Sequence, residues 1–383
     1  MNEVNARRVL MAAIWSSFLV FGFQLAGVGP LISVFAGRTG VSIETVGILF
    51  TVQSFASLTS AAMIGGLIER YNVRLVILLA MTCVTIGMIG LLASETFALL
   101  LVSGAIGGFG LALMDGGGQL LIVSIYGDKS ARPLNSLHLL FSVGAVIGPF
   151  LASQIGIGMF YVAIAALFVT LPTLFLTLPK HLKVGGGIQS GPRSASLYRS
   201  PVLWMFAVIY LLYVGMEIGV GNWTTEYLAG TSTLDRNAAG IVTSMYWLAF
   251  MLSRLVVTAA GNRLSFERQL IFSMGLALIG SLVYLLTVGN TVGSVVATLT
   301  IGFSFGPIYP AAFAIVTRRF ASSAGRAAGV IGAAGSIGAM SIVPIQGVLL
   351  ERGGGTIMTG FVLILTVGML ASYYFADRGV NAH

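Results

Sequence analysis

VLMAAIWSSFLVFGFQLAG, Val9 to Gly27, and VLWMFAVIYLLYVGMEIGV, Val202 to Val220, lie one over the other without a gap. Gly22 then meets Gly215, and Gln24 meets Glu217. Each stretch is 19 mostly apolar residues, and at 1.5 Å per helical residue such a run nearly crosses a hydrocarbon core of about 30 Å. The correspondence continues beyond them. At the same offset of 193, Gly47 meets Gly240 and Arg70 meets Arg263; at 194, Gly108 and Phe109 meet Gly302 and Phe303, and Arg132 meets Arg326. Among 50 glycines chance supplies some of these pairs, but it does not readily keep the loop arginines in register as well. The chain therefore reads as two similar halves that enter the membrane from the same side. That is the arrangement expected of transporters that rock two bundles about a central site.

Composition places the chain in a bilayer. Of 383 residues 57% are hydrophobic and 8% are charged, against roughly 25% charged in a soluble domain. Apolar runs of about 20 to 28 residues suit helices, whereas a β-barrel would alternate in segments of about ten. Bounded by charge, Gly or Pro, twelve spans are expected, at about 9–36, 44–68, 74–93, 97–125, 134–156 and 158–178, then 201–229, 238–260, 268–288, 291–316, 326–350 and 355–376. The expected fold is an all-α membrane protein, twelve transmembrane helices in two pseudo-symmetric six-helix bundles. PKHLKVGGGIQSGPRSASLYRSP, residues 179–201, is the longest polar, Gly/Ser/Pro-rich segment and reads as a flexible linker. The domains are then 1–178, a cytoplasmic linker 179–200, and 201–383.

Orientation follows from the cations. With twelve spans, 16 of the 20 Lys and Arg residues fall on the side of the N-terminus, three on the other side (Arg38, Arg236, Arg352) and one, Arg254, within a span. By the positive-inside rule both termini are cytoplasmic. Arg7 and Arg8 precede an apolar run too long for a signal h-region, so the run reads as a retained first helix. The expected setting is a prokaryotic inner or cell membrane. The single cysteine, Cys83, has no intrachain partner and reads as a small buried hydrophobe.

The polar residues inside spans carry the functional reading. An ionisable group far from a helix end costs roughly 2.5 to 3.5 kcal/mol on insertion scales, so it persists where it faces a cavity or a partner. Asp115, in MDGGGQ, lies twelve residues before the loop at Gly127, roughly 18 Å along a helix and so near the midplane. Gln119, one turn on, shares its face. A structural bond to a neighbouring helix is the plainer alternative to a proton or solute role. His138 lies at the cytoplasmic quarter of its span and suits either a relay or packing. Glu217 is deep in its span among Gly215, Gly219 and Gly221, with Asn222 and Trp223 following; such spacing permits close helix contact or local unwinding. Glu226, nearer the outer end, reads as solvated. Arg254 lies about two turns from a helix end and either snorkels or serves as a gate or counter-ion. Gln24, Gln53, Tyr246, Trp247, Tyr309 and Gln346 complete a set of amides and rings. Taken singly each suits packing; taken together they suit a polyhydroxylated solute, since amides bond hydroxyls and aromatic faces cover the C–H faces of a pyranose.

GGLIERYNVR, Gly65 to Arg74, resembles the loop motif G-x-L-x-D-R-x-G-x-R of the major facilitator superfamily, and the resemblance of the chain to that family covers essentially its whole length. Gly65, Leu67, Arg70 and Arg74 fit, while Glu69 replaces the usual Asp and Asn72 the usual Gly. The resemblance implies a cytoplasmic latch built from Glu69, Arg70 and Arg74; the second-half counterpart, Gly261-Asn262-Arg263, lacks the acid. NSLHLLFSVGAVIGP (Asn135 to Pro149) and YVGMEIGVGNWTTEYL (Tyr213 to Leu228) resemble the sugar-transporting branch that includes fucose–proton symporters and sodium-dependent glucose transporters. That resemblance implies coupling and recognition at Asp115 and Glu217, with either a proton or a sodium ion.

No enzyme motif survives. GAIGGFG, Gly104 to Gly110, lacks a preceding strand and lies within a span. The three histidines have no metal-ligand spacing, and the scattered basic residues form no nucleic-acid patch. No cofactor is expected beyond a coupling proton or sodium ion, and the expected partners of the monomer are a small-molecule substrate and the bilayer. With no ATP-binding module, uphill movement must draw on an ion gradient. The leading expectation is a sugar–cation symporter working by alternating access; the alternatives are a proton-coupled exporter of drugs or metabolites and a receptor or scaffold that keeps the fold. The repeat also leads to the expectation that Gln24 and Glu217 stand on opposite walls of one cavity.

Overall fold

The computed structural model describes residues 3–178 and 195–381, and among these residues every regular element is helical. The chain forms two compact units, residues 1–187 and 188–383. In the first are α1 (Glu3–Gly27), α2 (Ile32–Thr39), α3 (Ile43–Val46), α4 (Ile48–Leu92), α5 (Phe97–Tyr126), α6 (Ala131–Ile155) and α7 (Met159–Thr177). In the second are α8 (Ala195–Tyr198), α9 (Pro201–Thr231), α10 (Arg236–Ala260), α11 (Phe266–Leu286), α12 (Thr291–Phe305), α13 (Ile308–Arg319) and α14 (Ala324–Asn381). Most of the expected linker, 179–194, lies outside the described residues.

Helix starts follow local chemistry. Thr96, Asp235, Ser265 and Asn290 each accept a backbone N–H three residues on, filling one of the orphan donors of α5, α10, α11 and α12. Ten stretches among the described residues are long and apolar enough to cross a membrane. Two of them, Arg132–Thr177 and Ala321–Ala376, have 46 and 56 residues, far more than the roughly 20 one crossing needs. Each is interrupted by a glycine in the left-handed region, Gly156 at φ 56° and Gly354 at φ 74°, a conformation that costs other residues dearly. Divided there, the described residues hold twelve apolar segments, which fits the number expected. α4 contains two of them and bends at Asn72 (φ 71°, ψ 160°).

Three expected spans are not single helices: the second, 44–68, passes from α3 to α4 at Gly47, where the backbone stays near helical, and two others are broken outright. The first, 9–36, is interrupted by a 3-10 turn over Gly29–Leu31 between α1 and α2. The tenth, 291–316, is α12 and α13, broken at Gly306-Pro307. Prolines explain both: the ring removes a donor and strikes the carbonyl four residues back.

The repeat is visible in the packing inside each unit. A Cβ on Gly144 of α6 would strike the Leu19 carbonyl of α1, and one on Gly338 of α14 would strike the Leu211 carbonyl of α9. Likewise, one on Gly108 of α5 would strike the carbonyl of Gln53, and one on Gly302 of α12 that of Tyr246. The pair Gly108/Gly302 read in the sequence, and Gly144/Gly338 at the same offset of 194, therefore mark equivalent places where two backbones need a residue without a side chain.

Candidate functional site

In the first unit, Asp115 stands in the middle of α5 and is partly accessible. Gln119 Nε2 donates to Asp115 Oδ1 at 2.8 Å, the one-turn contact that their spacing predicts. His138 of α6 is exposed and within electrostatic reach of the same carboxyl. The structure thus gathers Asp115, Gln119 and His138. Gln24 is elsewhere: it is buried, and its Nε2 lies against Gly107 of α5, eight residues or about 12 Å along the helix from Asp115. Its Oε1 has no partner among the described residues, nor has the indole N–H of Trp15, a residue the sequence reading passed over. Gln53 is half-buried.

In the second unit the acid has a different setting. Glu217 of α9 is also partly accessible, and its backbone carbonyl accepts the Tyr246 hydroxyl of α10 at 2.9 Å. Arg254 of α10 lies within electrostatic reach of the carboxyl, as do Tyr210 and Tyr213 of α9. Tyr213 is fully buried with its hydroxyl near that carboxyl, yet closes no hydrogen bond of good geometry among the described residues. The sequence carried a signal for it, since Tyr213 and Glu217 are one helical turn apart.

Arg254 does not reach outward for solvent. Its Nε donates to the Gly306 carbonyl at 3.0 Å, and its guanidinium sits 4.3 Å over the Phe250 ring. The reason for the first contact is in the sequence. Gly306 O would ordinarily accept the amide of residue 310, which is Pro310 and has none. Arg254 supplies the missing donor at the break between α12 and α13. Just past it, the Tyr309 carbonyl accepts the Tyr210 hydroxyl at 2.8 Å, and the two rings lie 5.0 Å apart.

Further along α9, Gly219 and Gly221 let other helices close in. A Cβ on Gly219 would strike Gln346 of α14, and one on Gly221 would meet the rings of Trp247 and Tyr246 at 2.7 and 3.1 Å. Trp247 packs edge-on against Tyr246 and Phe250, at 5.3 and 5.4 Å. Asn222 returns Nδ2 to the Ile218 carbonyl at 2.9 Å, and Trp223 gives its indole N–H to Val343 O at 2.8 Å. Asn222 Oδ1, Trp247 Nε1, the Tyr213 hydroxyl and both amide atoms of Gln346 are buried without a partner among the described residues. So many polar atoms left unmet on α9 and the faces of α10 and α14 that meet it require an explanation, because native interiors seldom tolerate them.

One sequence reading is overturned. Glu226 is not solvated: its side chain is 5% exposed and accepts both oxygens' worth of contact from Arg236 Nη1, at 2.6 and 2.8 Å. Its place near the helix end suggested water, but the start of α10 brings the arginine over it.

At the loop motif, Arg74 donates to the Phe175 carbonyl at 2.6 Å and lies 5.2 Å over that ring, capping the last turn of α7. Arg70 is exposed, its guanidinium 5.2 Å from the Tyr71 ring. The side chain of Glu69 lies outside the described residues.

Carboxylates held inside apolar helices, with a broken span in the unit of one of them and a chain of repeated halves, mark a membrane transporter. The family model described as the Major Facilitator Superfamily matches residues 14–344, and the chain belongs to that superfamily. Sodium-dependent glucose transporter 1 of Homo sapiens is 22% identical over 380 residues, covering 87% of this chain and 72% of the relative. An uncharacterised MFS-type transporter of Yersinia pestis is 22% identical over 361 residues, covering 93% of each chain. Among solved structures, the nucleoside transporter NupG superposes with a TM-score of 0.77 at 14% identity, over 97% of this chain and 99% of that one. The fold is theirs, and the protein is a transporter rather than an enzyme.

Proposed function

We propose that this transporter moves a sugar together with a proton or a sodium ion, by alternating access, from a monomer whose termini and 179–200 linker are cytoplasmic. The observation that carries the solute class is the set of unmet polar atoms on α9 and on the helices packed against it: Tyr213 and Asn222 of α9, Trp247 of α10 and Gln346 of α14 offer neutral donors and acceptors among aromatic faces. Hydroxyl groups fit that mixture, because each gives and accepts a hydrogen bond without bringing a charge. A lipophilic cation would call for more acids there, and the resident cation Arg254 is already engaged by the helix break. The name of the human relative, a sodium-dependent glucose transporter, points the same way.

In this reading Asp115, with Gln119 and His138, couples the ion. Glu217 orients the solute and shares in coupling, while Gln24, Asn222, Trp223, Tyr246, Trp247, Tyr309 and Gln346 shape the site. Glu69, Arg70, Arg74 and Arg254 act as gates. The test is thermal stabilisation of purified protein by a panel of sugars, nucleosides and drugs, where a ligand at 100 times its Kd adds about 2.7 kcal/mol. Sugars that stabilise are then offered to proteoliposomes under imposed pH or sodium gradients. Stabilisation by drugs and not by any sugar would sink the sugar reading and favour the exporter.

A further inference from the structure

A cavity of about 390 Å³ lies wholly within the second unit between α10, α11 and the break after α12. Its size falls in the range of about 300–1,000 Å³ usual for small-ligand sites. Val256, Phe272, Leu276 and Phe303 wall it with hydrocarbon. The hydroxyls of Ser253 and Ser304, which also line it, are spent on their own helices, bonded to Phe250 O at 2.8 Å and Ile301 O at 2.7 Å. Gln269 gives its Nε2 to Leu264 O at 2.9 Å and Ser273 adds one hydroxyl, so polar groups are few in a lining that is mostly hydrocarbon. Val256 and Phe272, at 57% and 69% exposed, flank an open side.

The mouth is different. Arg268, in the first turn of α11, lines the cavity, is exposed, and forms no ion pair among the described residues. Glu267, the neighbouring acid, is exposed and does not pair with it. Close by, Arg318 of α13 sits 4.5 Å over the Phe266 ring, and Arg263 ends the turn before α11. The positive-inside count places this end on the cytoplasmic side.

We propose that this groove seats one anionic glycerophospholipid of the cytoplasmic leaflet, an acyl chain lying along the apolar walls and the phosphate at Arg268. A largely apolar channel open along one side suits a flexible hydrocarbon chain. A cation at its membrane-surface end suits an anionic headgroup, and basic pockets between cytoplasmic helix ends bind such headgroups. A neutral lipid would use the walls and leave Arg268 without a counter-charge; a free phosphate ester would use Arg268 and leave the walls bare. The site shares no residue with the proposed transport site.

The experiment titrates purified full-length protein in detergent with phosphatidylglycerol, phosphatidylcholine and glycerol 1-phosphate, reading the melting temperature and, by native mass spectrometry, the bound lipid. Phosphatidylglycerol should stabilise at the lowest concentration and survive as a one-to-one adduct. Arg268→Gln should weaken that effect by roughly fivefold, the share of one basic residue near an anionic surface. Val256→Trp, at an exposed wall position, should block the groove and remove the adduct. Should Val256→Trp fail to fold, Arg268→Gln at its exposed position decides alone. Equal stabilisation by phosphatidylcholine, equal stabilisation by glycerol 1-phosphate, or an Arg268→Gln protein that responds like the parent would each overturn the proposal.

Discussion

Asp115 and Glu217 are both acids set deep in apolar helices, yet the two units surround them differently. Around Asp115 are three glycines, an amide that donates to it, and an exposed histidine. Around Glu217 are tyrosines, and an arginine held on a helix break. A carboxylate with a resident cation keeps its charge balanced in every state of the cycle. One with only neutral or titratable neighbours must find its counter-charge in something that comes and goes. Under the proposed function the contrast puts the larger share of coupling on Asp115, with Glu217 orienting the solute and sharing in coupling.

The largest effect should fall on Asp115→Asn. If coupling resides there, concentrative uptake into proteoliposomes should drop by roughly 5- to 150-fold, the span of ordinary coupling free energies. Solute exchange without a gradient should persist, because the amide keeps the shape of the site and its contact with Gln119. The residual flux should also lose most of its dependence on pH or sodium. Full concentrative uptake by the variant would move the coupling role elsewhere and collapse the distinction between the two acids.

Next comes the Glu217–Arg254 pair. Glu217→Gln removes an acid within electrostatic reach of the guanidinium, and should weaken solute binding about tenfold through loss of a charged hydrogen bond to the solute. Arg254→Ala should cost stability by about 1–3 kcal/mol, because the Gly306 carbonyl loses its donor. Arg254→Lys, which keeps charge and a donor, should be milder. In a double-mutant cycle on melting temperature, removal of both partners should cost less than the sum of the single changes, with a coupling of about 0.5–3 kcal/mol. Strict additivity would show that Arg254 serves the helix break alone and that Glu217 is as poorly balanced as Asp115.

The architecture was legible because hydropathy and charge act along the chain. Span lengths, the duplicated register, and the contact between Asp115 and Gln119 all follow from local periodicity. The break at Gly306 was written in Pro307 and Pro310, but an apolar run masks a discontinuity when only hydropathy is read. Glu226 was misread because its partner Arg236 comes from the next helix, and spacing along one helix does not reveal a contact made across a turn. Tyr213 was missed although it is one turn from Glu217, because a tyrosine in an apolar span reads as packing until the unmet hydroxyl is seen. The orphaned Gly306 carbonyl explains why an arginine is retained inside α10; that inference needs the fold as well as the sequence.

The smallest effect sharpens the same contrast at the loops. In the first unit α4 bends at Asn72, with φ 71° and ψ 160°, a region that is essentially reserved for glycine and costs other residues about 1–3 kcal/mol. In the second unit the chain turns at Gly261, φ 54°, where no side chain is at stake. Asn72 recovers part of its cost, since its Oδ1 accepts the Leu75 amide at 3.1 Å and caps the following turn. Exchanging such a cap for glycine loses only a few tenths of a kcal/mol. Asn72→Gly should therefore raise stability by roughly 1 kcal/mol net, the backbone relief outweighing the lost cap. Asn72→Leu, which has neither the freedom nor the cap, should lower it by about as much or more. The check is the melting temperature of both variants in the same detergent. If Asn72→Gly melts below the parent, the cap outweighs the strain, and the two loops differ in more than the residue that makes the turn.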